Sequence, residues 1–454
     1  MSENTALKAG FGKASMVPDY SVPILGYGNS TSRMSQGYLN PVEVSCVAVQ
    51  DNAGETVLLI SMDMALVNTY VRLNSLPLVA EATGIPLHNI ILTATHTHSG
   101  ADICTEHENS PRYEKDMRLW LTEAAKLAVA DLAPATLQTG AIDVEHMNFV
   151  RHYLMNDGTY YGDNFGSRES GYKCHEREPD KKLQLIKLVR GKEKKDILLV
   201  NWQSHPKLAS TASTMAGKLT RPLLSADYVG YMRDYVGKIA GCEVAFFLGA
   251  AGNLNPLSDI QEEQATVPEN VMVYGHKVGD YVLKAMENMK DVASGPVQVH
   301  KTIFQAQIDH TEDYLADNAR LVMKEWAATN SFKETVTFGK PLGIMNPYHA
   351  ESILNRFNDP NPTKELEINA VSFGDVGFAT VPYEMFCQNG LAVKAGSPFE
   401  TTFMISCCNG VNGYMAADAA FEYSSYEANN RIFIRGTAEA VQDKLISMLK
   451  ELKQ

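Results

Sequence analysis

An apolar run that ends in two histidines is the feature that most constrains this chain. Residues 90–100 read Ile-Ile-Leu-Thr-Ala-Thr-His-Thr-His-Ser-Gly. A short aliphatic run predicts a buried strand, and because side chains alternate between the faces of a strand, His96 and His98 are expected to leave its end on the same side. Neutral imidazole is the commonest ligand for zinc and similar ions, so the pair predicts the start of a metal site. A hydrogen-bonded pair of histidines is the alternative that spacing alone leaves open.

The composition is that of a globular protein with a sizeable core. The chain has 454 residues, of which 45% are hydrophobic and 20% are charged. This length exceeds the usual size of a single core, so we predict one large domain spanning residues 1–454, with two closely packed lobes as the alternative. The net charge of -13 argues against nucleic acid as a partner, because binding to a phosphate backbone requires clustered Lys and Arg.

Residues 1–20 do not resemble a signal peptide, since they lack a long apolar core behind a basic segment. No stretch elsewhere reaches membrane-spanning length. We therefore expect a cytoplasmic protein without a transmembrane segment. The seven cysteines include no Cys-x-x-Cys pair, which favours reduced thiols.

Strand-like and helix-like patterns alternate along the chain without an obvious linker. Besides the apolar run that begins at Ile90, strands are predicted at 44–50, 56–63, 183–189, 196–202, 243–248, 297–309 and 368–381. Helices are predicted at 70–83, 114–132, 225–240, 261–289 and 437–452, with a helical and more polar segment at 312–358. The mixture predicts an α/β fold with mixed β-sheets flanked by helices, and with the metal site on loops at strand ends.

Later segments repeat the arrangement in which an apolar strand runs into a polar loop. The strand at 197–202 leads to His205, which can supply a third nitrogen ligand. The strand at 243–248 opens into a loop of small residues that lets a backbone approach closely. Glu384 follows a third strand, although a Glu after Val-Pro also fits an ordinary helix start.

Together these segments resemble the catalytic domain of the neutral, or non-lysosomal, ceramidase family. The resemblance covers most of the chain in the same order. Its motifs are Thr95-His96-Thr97-His98-Ser99-Gly100, Asn201-Trp202 with His205-Pro206, residues 249–256 (Gly-Ala-Ala-Gly-Asn-Leu-Asn-Pro), and Asn412-Gly413-Tyr414 with Phe421 and Tyr426-Glu427.

The resemblance implies a zinc-dependent amidase that cleaves an N-acyl bond in a ceramide-like or smaller substrate. Four positions match the family's zinc ligands: His96, His205, Glu384 and Tyr414. His98 matches a residue that contacts substrate. Arg151 and Tyr426 match residues that hold the reacting carbonyl.

The chemistry of these side chains agrees with that assignment. A catalytic zinc keeps one position open for water and lowers the pKa of that water from about 15.7 toward about 7. Donors such as Tyr426 and Arg151 would stabilise the oxyanion formed at the amide carbonyl. His98 is a candidate proton shuttle to the leaving amine, because imidazole titrates near physiological pH. The alternative for either Tyr414 or Tyr426 is a packed aromatic residue.

The chain also departs from the family pattern. Residues 101–104 read Ala-Asp-Ile-Cys where the family usually has Pro and more Gly, and Asn255 replaces a serine. The sequence stops at Gln454 without the C-terminal β-sandwich domain of full-length ceramidases. A smaller or more soluble N-acyl compound is therefore expected to be at least as good a substrate as ceramide.

Two other classes of function fit parts of the pattern. A non-haem iron oxygenase could use His96, His205 and Glu384 as its two histidines and carboxylate. Tyr414 as an additional ligand argues against it, because oxygen needs open positions. A non-catalytic ligand-binding homologue is the other alternative, and the retention of every candidate ligand argues against it.

Overall fold

The computed structural model of this chain describes residues 7–26, 33–103, 106–209, 221–410 and 413–453. The strands are β1 (Leu7–Ser15), β2 (Glu43–Gln50), β3 (Thr56–Met62), β4 (Ile90–Ala94), β5 (Ala133–Asp143), β6 (Phe149–Val150), β7 (His152–Met155), β8 (Tyr160–Gly162), β9 (Tyr172–His175), β10 (Lys182–Arg190), β11 (Ile197–Trp202), β12 (Glu243–Leu248), β13 (Leu254–Asn255), β14 (Lys290–Val292), β15 (Val297–Gln307), β16 (Thr363–Phe373), β17 (Val376–Thr380), β18 (Glu384–Met385), β19 (Thr401–Ile405) and β20 (Tyr414–Met415).

The helices lie between these strands and at the end of the chain. They are α1 (Thr69–Thr83), α2 (Ser110–Ala130), α3 (Asp227–Ala240), α4 (Gln261–Gln264), α5 (Val271–Met286), α6 (Ala316–Thr329), α7 (Phe332–Gly339), α8 (Pro347–Asn358), α9 (Cys387–Gly396), α10 (Asp418–Glu422), α11 (Tyr426–Asn429) and α12 (Thr437–Leu452).

Two large sheets organise the described part of the chain. The larger sheet has the order β12-β11-β10-β5-β1-β2-β3-β4, with β14 added beside β5, and it is mixed because β3/β4 and β11/β12 are parallel while its other pairs are antiparallel. The smaller sheet has the order β15-β16-β17-β19. The larger sheet bends where β1 meets β5, since these strands pair only over Leu7–Ala9. Near its two ends, the Ser61 hydroxyl of β3 donates to the Phe246 carbonyl of β12 at 2.6 Å. The two ends of the larger sheet therefore approach each other.

One apolar core lies between the two sheets. Val47, Leu59 and Phe247 from the larger sheet meet Val371 and Phe378 from the smaller sheet, and all five are buried. Burying a side chain of this size contributes about 1.5–3 kcal/mol relative to leaving it exposed. Helices α1 and α2 cover one part of the larger sheet and α3 and α5 cover another, while α9 and α12 cover the smaller sheet. Helices therefore flank both sheets on their outer faces.

Local sequence explains the boundaries of the elements that carry the site. Strands β4 and β11 are buried throughout, as their mostly aliphatic residues predict. Helix α1 starts where the Asn68 side chain accepts a hydrogen bond from the Val71 N–H, and it ends at Gly84 with a φ of 73°.

The predicted α/β fold with mixed β-sheets flanked by helices is confirmed. Two predicted elements are each divided in the structure. The helical pattern at 261–289 is divided into α4 and α5, and the strand pattern at 368–381 is divided into β16 and β17 at Gly374, whose φ of 79° suits a tight turn. The three-stranded sheet β8-β7-β9 was not predicted. No helix in the described ranges is long and apolar enough to cross a membrane.

Candidate metal centre

The predicted site residues come from separate segments that the fold brings to one place. His96 and His98 follow β4, and His205 follows β11. Glu384 lies in β18 and Tyr414 in β20, and these two residues are directly paired in a short parallel ladder. The His98 N–H donates to the Pro206 carbonyl at 2.9 Å, which joins the two histidine-bearing loops.

The three imidazole rings converge through the same ring nitrogen. The Nε2 atoms of His96 and His205 are 3.0 Å apart, those of His205 and His98 are 2.9 Å apart, and those of His96 and His98 are 3.4 Å apart. His96 and His205 are buried, whereas His98 is partly exposed. Three converging nitrogen donors of this kind are typical of a site for a divalent transition metal.

Backbone carbonyls hold the outer ring nitrogens of two of these histidines. The Nδ1 of His96 lies 2.6 Å from the Ala65 carbonyl oxygen, and the Nδ1 of His205 lies 3.1 Å from the Ala251 carbonyl oxygen. A carbonyl accepts only, so each Nδ1 carries the proton and each Nε2 keeps its lone pair for the centre of the cluster. This is the arrangement that orients metal-ligating histidines.

Glu384 completes the cluster with a buried carboxylate. Its Oε2 lies 3.1 Å from the His96 Nε2 and 3.7 Å from the His205 Nε2. Among the described residues this oxygen has an ion-pair contact with His96 but no hydrogen bond of good geometry, and a buried ionised oxygen without hydrogen bonds is costly. A cation placed among the Nε2 atoms would satisfy it. The donor set of imidazole nitrogens and one carboxylate oxygen fits zinc.

The pKa values of the histidines reflect their mutual crowding. Burial lowers the pKa of His96, but the adjacent Glu384 carboxylate outweighs it and the net pKa is well above the usual value. Burial and the charge of His96 together hold the pKa values of His98 and His205 well below the usual range.

His96 is held in an unfavourable backbone conformation. His96 has a φ of 65°, a left-handed conformation that non-glycine residues seldom adopt. A Cβ at Gly252 would lie 2.6 Å from the Glu384 carbonyl oxygen. The small residues at 249–256 therefore let the segment that carries Glu384 approach closely.

Tyr414 lies beside Arg151 and Tyr426. The Arg151 guanidinium carbon is 5.2 Å from the centroid of the Tyr414 ring, which is a cation–π distance. Burial raises the pKa of the Tyr414 phenol, and Arg151 acts in the opposite direction. The Tyr426 ring is 5.8 Å from the Tyr414 ring, centroid to centroid. The fold therefore brings Arg151, Tyr414 and Tyr426 together.

A chain of charged side chains continues from Arg151. The Glu427 Oε1 accepts from the Arg151 Nε at 2.8 Å and from its Nη2 at 2.6 Å, and the Glu427 Oε2 lies 2.9 Å from the His152 Nε2. On the other side, the Asp163 Oδ2 is 3.7 Å from the Arg151 Nη1 and 3.2 Å from the Lys207 Nζ. Burial would raise the pKa of Glu427, but His152 and Arg151 hold it well below its usual range.

Sequence reasoning did not assign a role to Glu427, His152 or Lys207. Glu427 was part of a quoted motif, and Lys207 follows His205-Pro206 directly, so both stood next to assigned residues. His152 gave no sequence signal beyond its position beside Arg151.

Asn255, which replaces the serine of the family pattern, lies in β13. Cys104 and Asn412 of the predicted motifs lie outside the described residues.

The fold and these residues define an α/β protein with a buried cluster of three imidazoles and one carboxylate suited to a divalent metal ion. No family model and no curated protein matches the sequence. Among solved structures, neutral ceramidase from Pseudomonas aeruginosa is similar over 99% of this chain and 75% of its own, with a TM-score of 0.72 and 18% sequence identity. A ceramidase in complex with C2 is similar over the same shares, with a TM-score of 0.72 and 17% identity. The predicted resemblance is thus confirmed at the level of the fold, which is that of neutral ceramidase.

Proposed function

We propose that this protein is a zinc-dependent amidohydrolase that cleaves the N-acyl bond of a ceramide-like or smaller substrate. The observation that carries the proposal is the convergence of the His96 and His205 Nε2 atoms, 3.0 Å apart, with the buried Glu384 Oε2 3.1 Å from the first of them and the His98 Nε2 beside both. The ceramidase-like fold supports the same chemistry by analogy.

We assign His96, His205, Glu384 and Tyr414 as the residues that would hold the ion. A zinc ion bound there supplies a Lewis acid and an acidic water ligand. Because His98 is the partly exposed member of the imidazole cluster, it is the one that can face a substrate. Its role in the proposal is to hold or transfer a proton at the leaving nitrogen.

Arg151 and Tyr426 are the proposed donors to the carbonyl oxygen of the substrate. Amide hydrolysis places negative charge on that oxygen, and fixed donors stabilise it without reorganising during the reaction. The Nε–Nη2 edge of Arg151 is occupied by Glu427. Asp163 lies 3.7 Å from Nη1, beside the other edge. Because carboxylates face both bidentate edges of the guanidinium, the group expected at Arg151 is a single carbonyl oxygen.

A hydrolysis screen tests the proposal. The protein would be loaded with zinc and assayed against N-acyl amines and N-acyl amino acids, with a chelator-treated sample as the control. We expect amine release that stops on chelation and returns with zinc. If no amide is cleaved, or if cleavage is indifferent to chelation, the proposal is wrong. Bound iron with substrate-dependent oxygen consumption would instead support the oxygenase alternative.

A further inference from the structure

We propose that Glu427 is a positioning residue that fixes the Arg151 guanidinium against Tyr414 and the metal centre. The proposal rests on the proposed function and adds a residue to it. Glu427 is in the first turn of α11, directly after Tyr426, and its side chain is fully buried. A buried carboxylate is retained at such a position only when its oxygens are paired.

Both Glu427 oxygens are used, and each in a specific direction. Oε1 accepts two hydrogen bonds from one edge of Arg151, and Oε2 faces the His152 Nε2 at 2.9 Å. The other ring nitrogen of His152 lies 2.9 Å from the Tyr423 hydroxyl. Tyr423 in turn stacks on Tyr160, with ring centroids 4.4 Å apart. His152 therefore restrains the Glu427 carboxylate from the side opposite Arg151, so that the carboxylate is a fixed acceptor for the arginine.

This arrangement determines which part of Arg151 remains for the reaction. A guanidinium is planar and rigid, so fixing its Nε–Nη2 edge also fixes the direction of Nη1. Nη1 lies 3.7 Å from the Asp163 Oδ2, and the guanidinium carbon lies 5.2 Å from the centroid of the Tyr414 ring. Without such an anchor, a long arginine side chain would lose conformational entropy when it binds the substrate. Because Glu427 already orders the side chain, this entropy is not lost during the reaction.

A double-mutant cycle separates positioning from a merely structural role. Glu427→Gln keeps the shape of the side chain but removes its charge, and we expect kcat to fall about 100-fold with KM and zinc content nearly unchanged. Because Glu427 acts through Arg151, Glu427→Gln should lower kcat by less than about threefold when it is added to Arg151→Ala. The double variant contains neither charge of the Arg151–Glu427 pair, so no buried charge is left unpaired. If the single Glu427→Gln variant folds poorly, the double variant can still be compared with Arg151→Ala.

Glu367 provides a matched control. It is a buried carboxylate that the Arg72 Nη1 meets at 2.5 Å and the Lys301 Nζ meets at 3.0 Å, and it has no place in the proposed site. We expect Glu367→Gln and Glu427→Gln to lower the thermal unfolding midpoint by similar amounts. Glu367→Gln should nevertheless leave kcat within about twofold of the wild type.

A second measurement does not depend on activity. Arginine Nε–H exchange with solvent, followed by nitrogen NMR and assigned by the signal lost in Arg151→Ala, should be at least about tenfold faster in Glu427→Gln than in the wild type, because the hydrogen bond to the carboxylate is lost. Equal losses of kcat in the wild-type and Arg151→Ala backgrounds, or unchanged Nε–H exchange, would overturn the proposal. An inactive wild type would instead overturn the proposed function and leave the exchange result to decide on Glu427.

Discussion

His96, His98 and His205 present the same ring nitrogen to one point, but they differ in exposure. His96 and His205 are buried and donate from Nδ1 to backbone carbonyls, whereas His98 is partly exposed. Exposure is therefore the observed difference between His98 and the other two rings. The exposed ring is the one available to substrate, although its nitrogen lies as close to the cluster as the others.

We predict that His98→Ala keeps the metal and loses rate. A group that transfers a proton to a leaving amine contributes about 10²- to 10⁴-fold, so kcat should fall by at least about 100-fold while zinc content stays near one per chain. Zinc analysis and steady-state kinetics on the same preparation would check this. Loss of the metal from His98→Ala would make His98 a ligand and reverse the assignment.

For Tyr426 we predict an effect on the transition state rather than on substrate binding. Removing one preorganised donor to an oxyanion costs about 10²- to 10³-fold in kcat, so Tyr426→Phe should lower kcat with little change in KM. The phenyl ring retains the contact with Tyr414, whose ring centroid lies 5.8 Å away. An unchanged kcat would remove Tyr426 from the mechanism, and a raised KM alone would assign it to binding.

At the scale of elements, the strand-end loops were predictable and the charged network was not. The run at 90–94 and the strand at 197–202 are apolar enough to read as buried strands, so the histidines after them could be placed at strand ends. The network around Arg151 could not be found in this way. Glu427 contacts Arg151, and His152 contacts Glu427, through side chains whose positions no regular sequence spacing predicts. The small sheet β8-β7-β9 was missed for a related reason, since its short strands lack a clear apolar alternation.

The helical segment at 312–358 is tied to the rest of the chain by Glu312. Its Oε2 accepts from the Arg356 Nη2 at 2.6 Å and lies 3.0 Å from the Arg431 Nη2. Burial alone would raise the pKa of Glu312, but the hydrogen bond to His349 and the charges of Arg431 and Arg356 lower it from 4.5 to about 2. A carboxyl with a lowered pKa stabilises the folded state above its unfolded pKa, and this stabilisation is lost as the pH falls toward the folded value.

We therefore predict that the effect of Glu312→Gln on stability depends on pH. At about 1.4 kcal/mol for each unit of pKa shift the full effect at pH 7 is about 3.5 kcal/mol. Because the Glu312 side chain is partly exposed to solvent, the free energy of unfolding should fall by about 2–3 kcal/mol. Urea unfolding of the variant and the wild type should give a difference that narrows steadily below pH 4.5. A difference that stays constant down to pH 3 would mean that the ionised carboxylate is not the source of the stabilisation.

At the scale of the whole molecule, charge is the property that bears on substrate. The net charge of -13 opposes approach to an anionic lipid surface. The exposed large apolar residues include several in the helical segment at 312–358: Tyr314, Leu321, Phe338, Met345 and Phe357. Tyr348 of the same segment packs against Tyr426, with ring centroids 5.9 Å apart. Apolar surface is therefore present on the segment next to the site, where an acyl chain could lie.

We predict that short and medium N-acyl compounds are cleaved with higher kcat/KM than long-chain ceramide. A graded acyl series assayed in solution, and then with neutral and anionic vesicles, would establish the preference. The reaction should proceed best near or above neutral pH, where a zinc-bound water with a pKa of about 7 is ionised. A steady rise in kcat/KM up to ceramide, with stimulation by anionic vesicles, would identify a ceramidase that works at membranes.

The central claim is that this fold builds one zinc site from residues far apart in sequence. Elemental analysis of purified protein, comparing the wild type with His205→Ala, tests it most directly. His205 supplies one of the converging nitrogens and is fully buried, so its loss leaves a space that no other described side chain of the cluster fills. The account predicts about one zinc per chain in the wild type and almost none in His205→Ala. A wild type that binds no zinc, or a variant that retains it fully, would contradict the account.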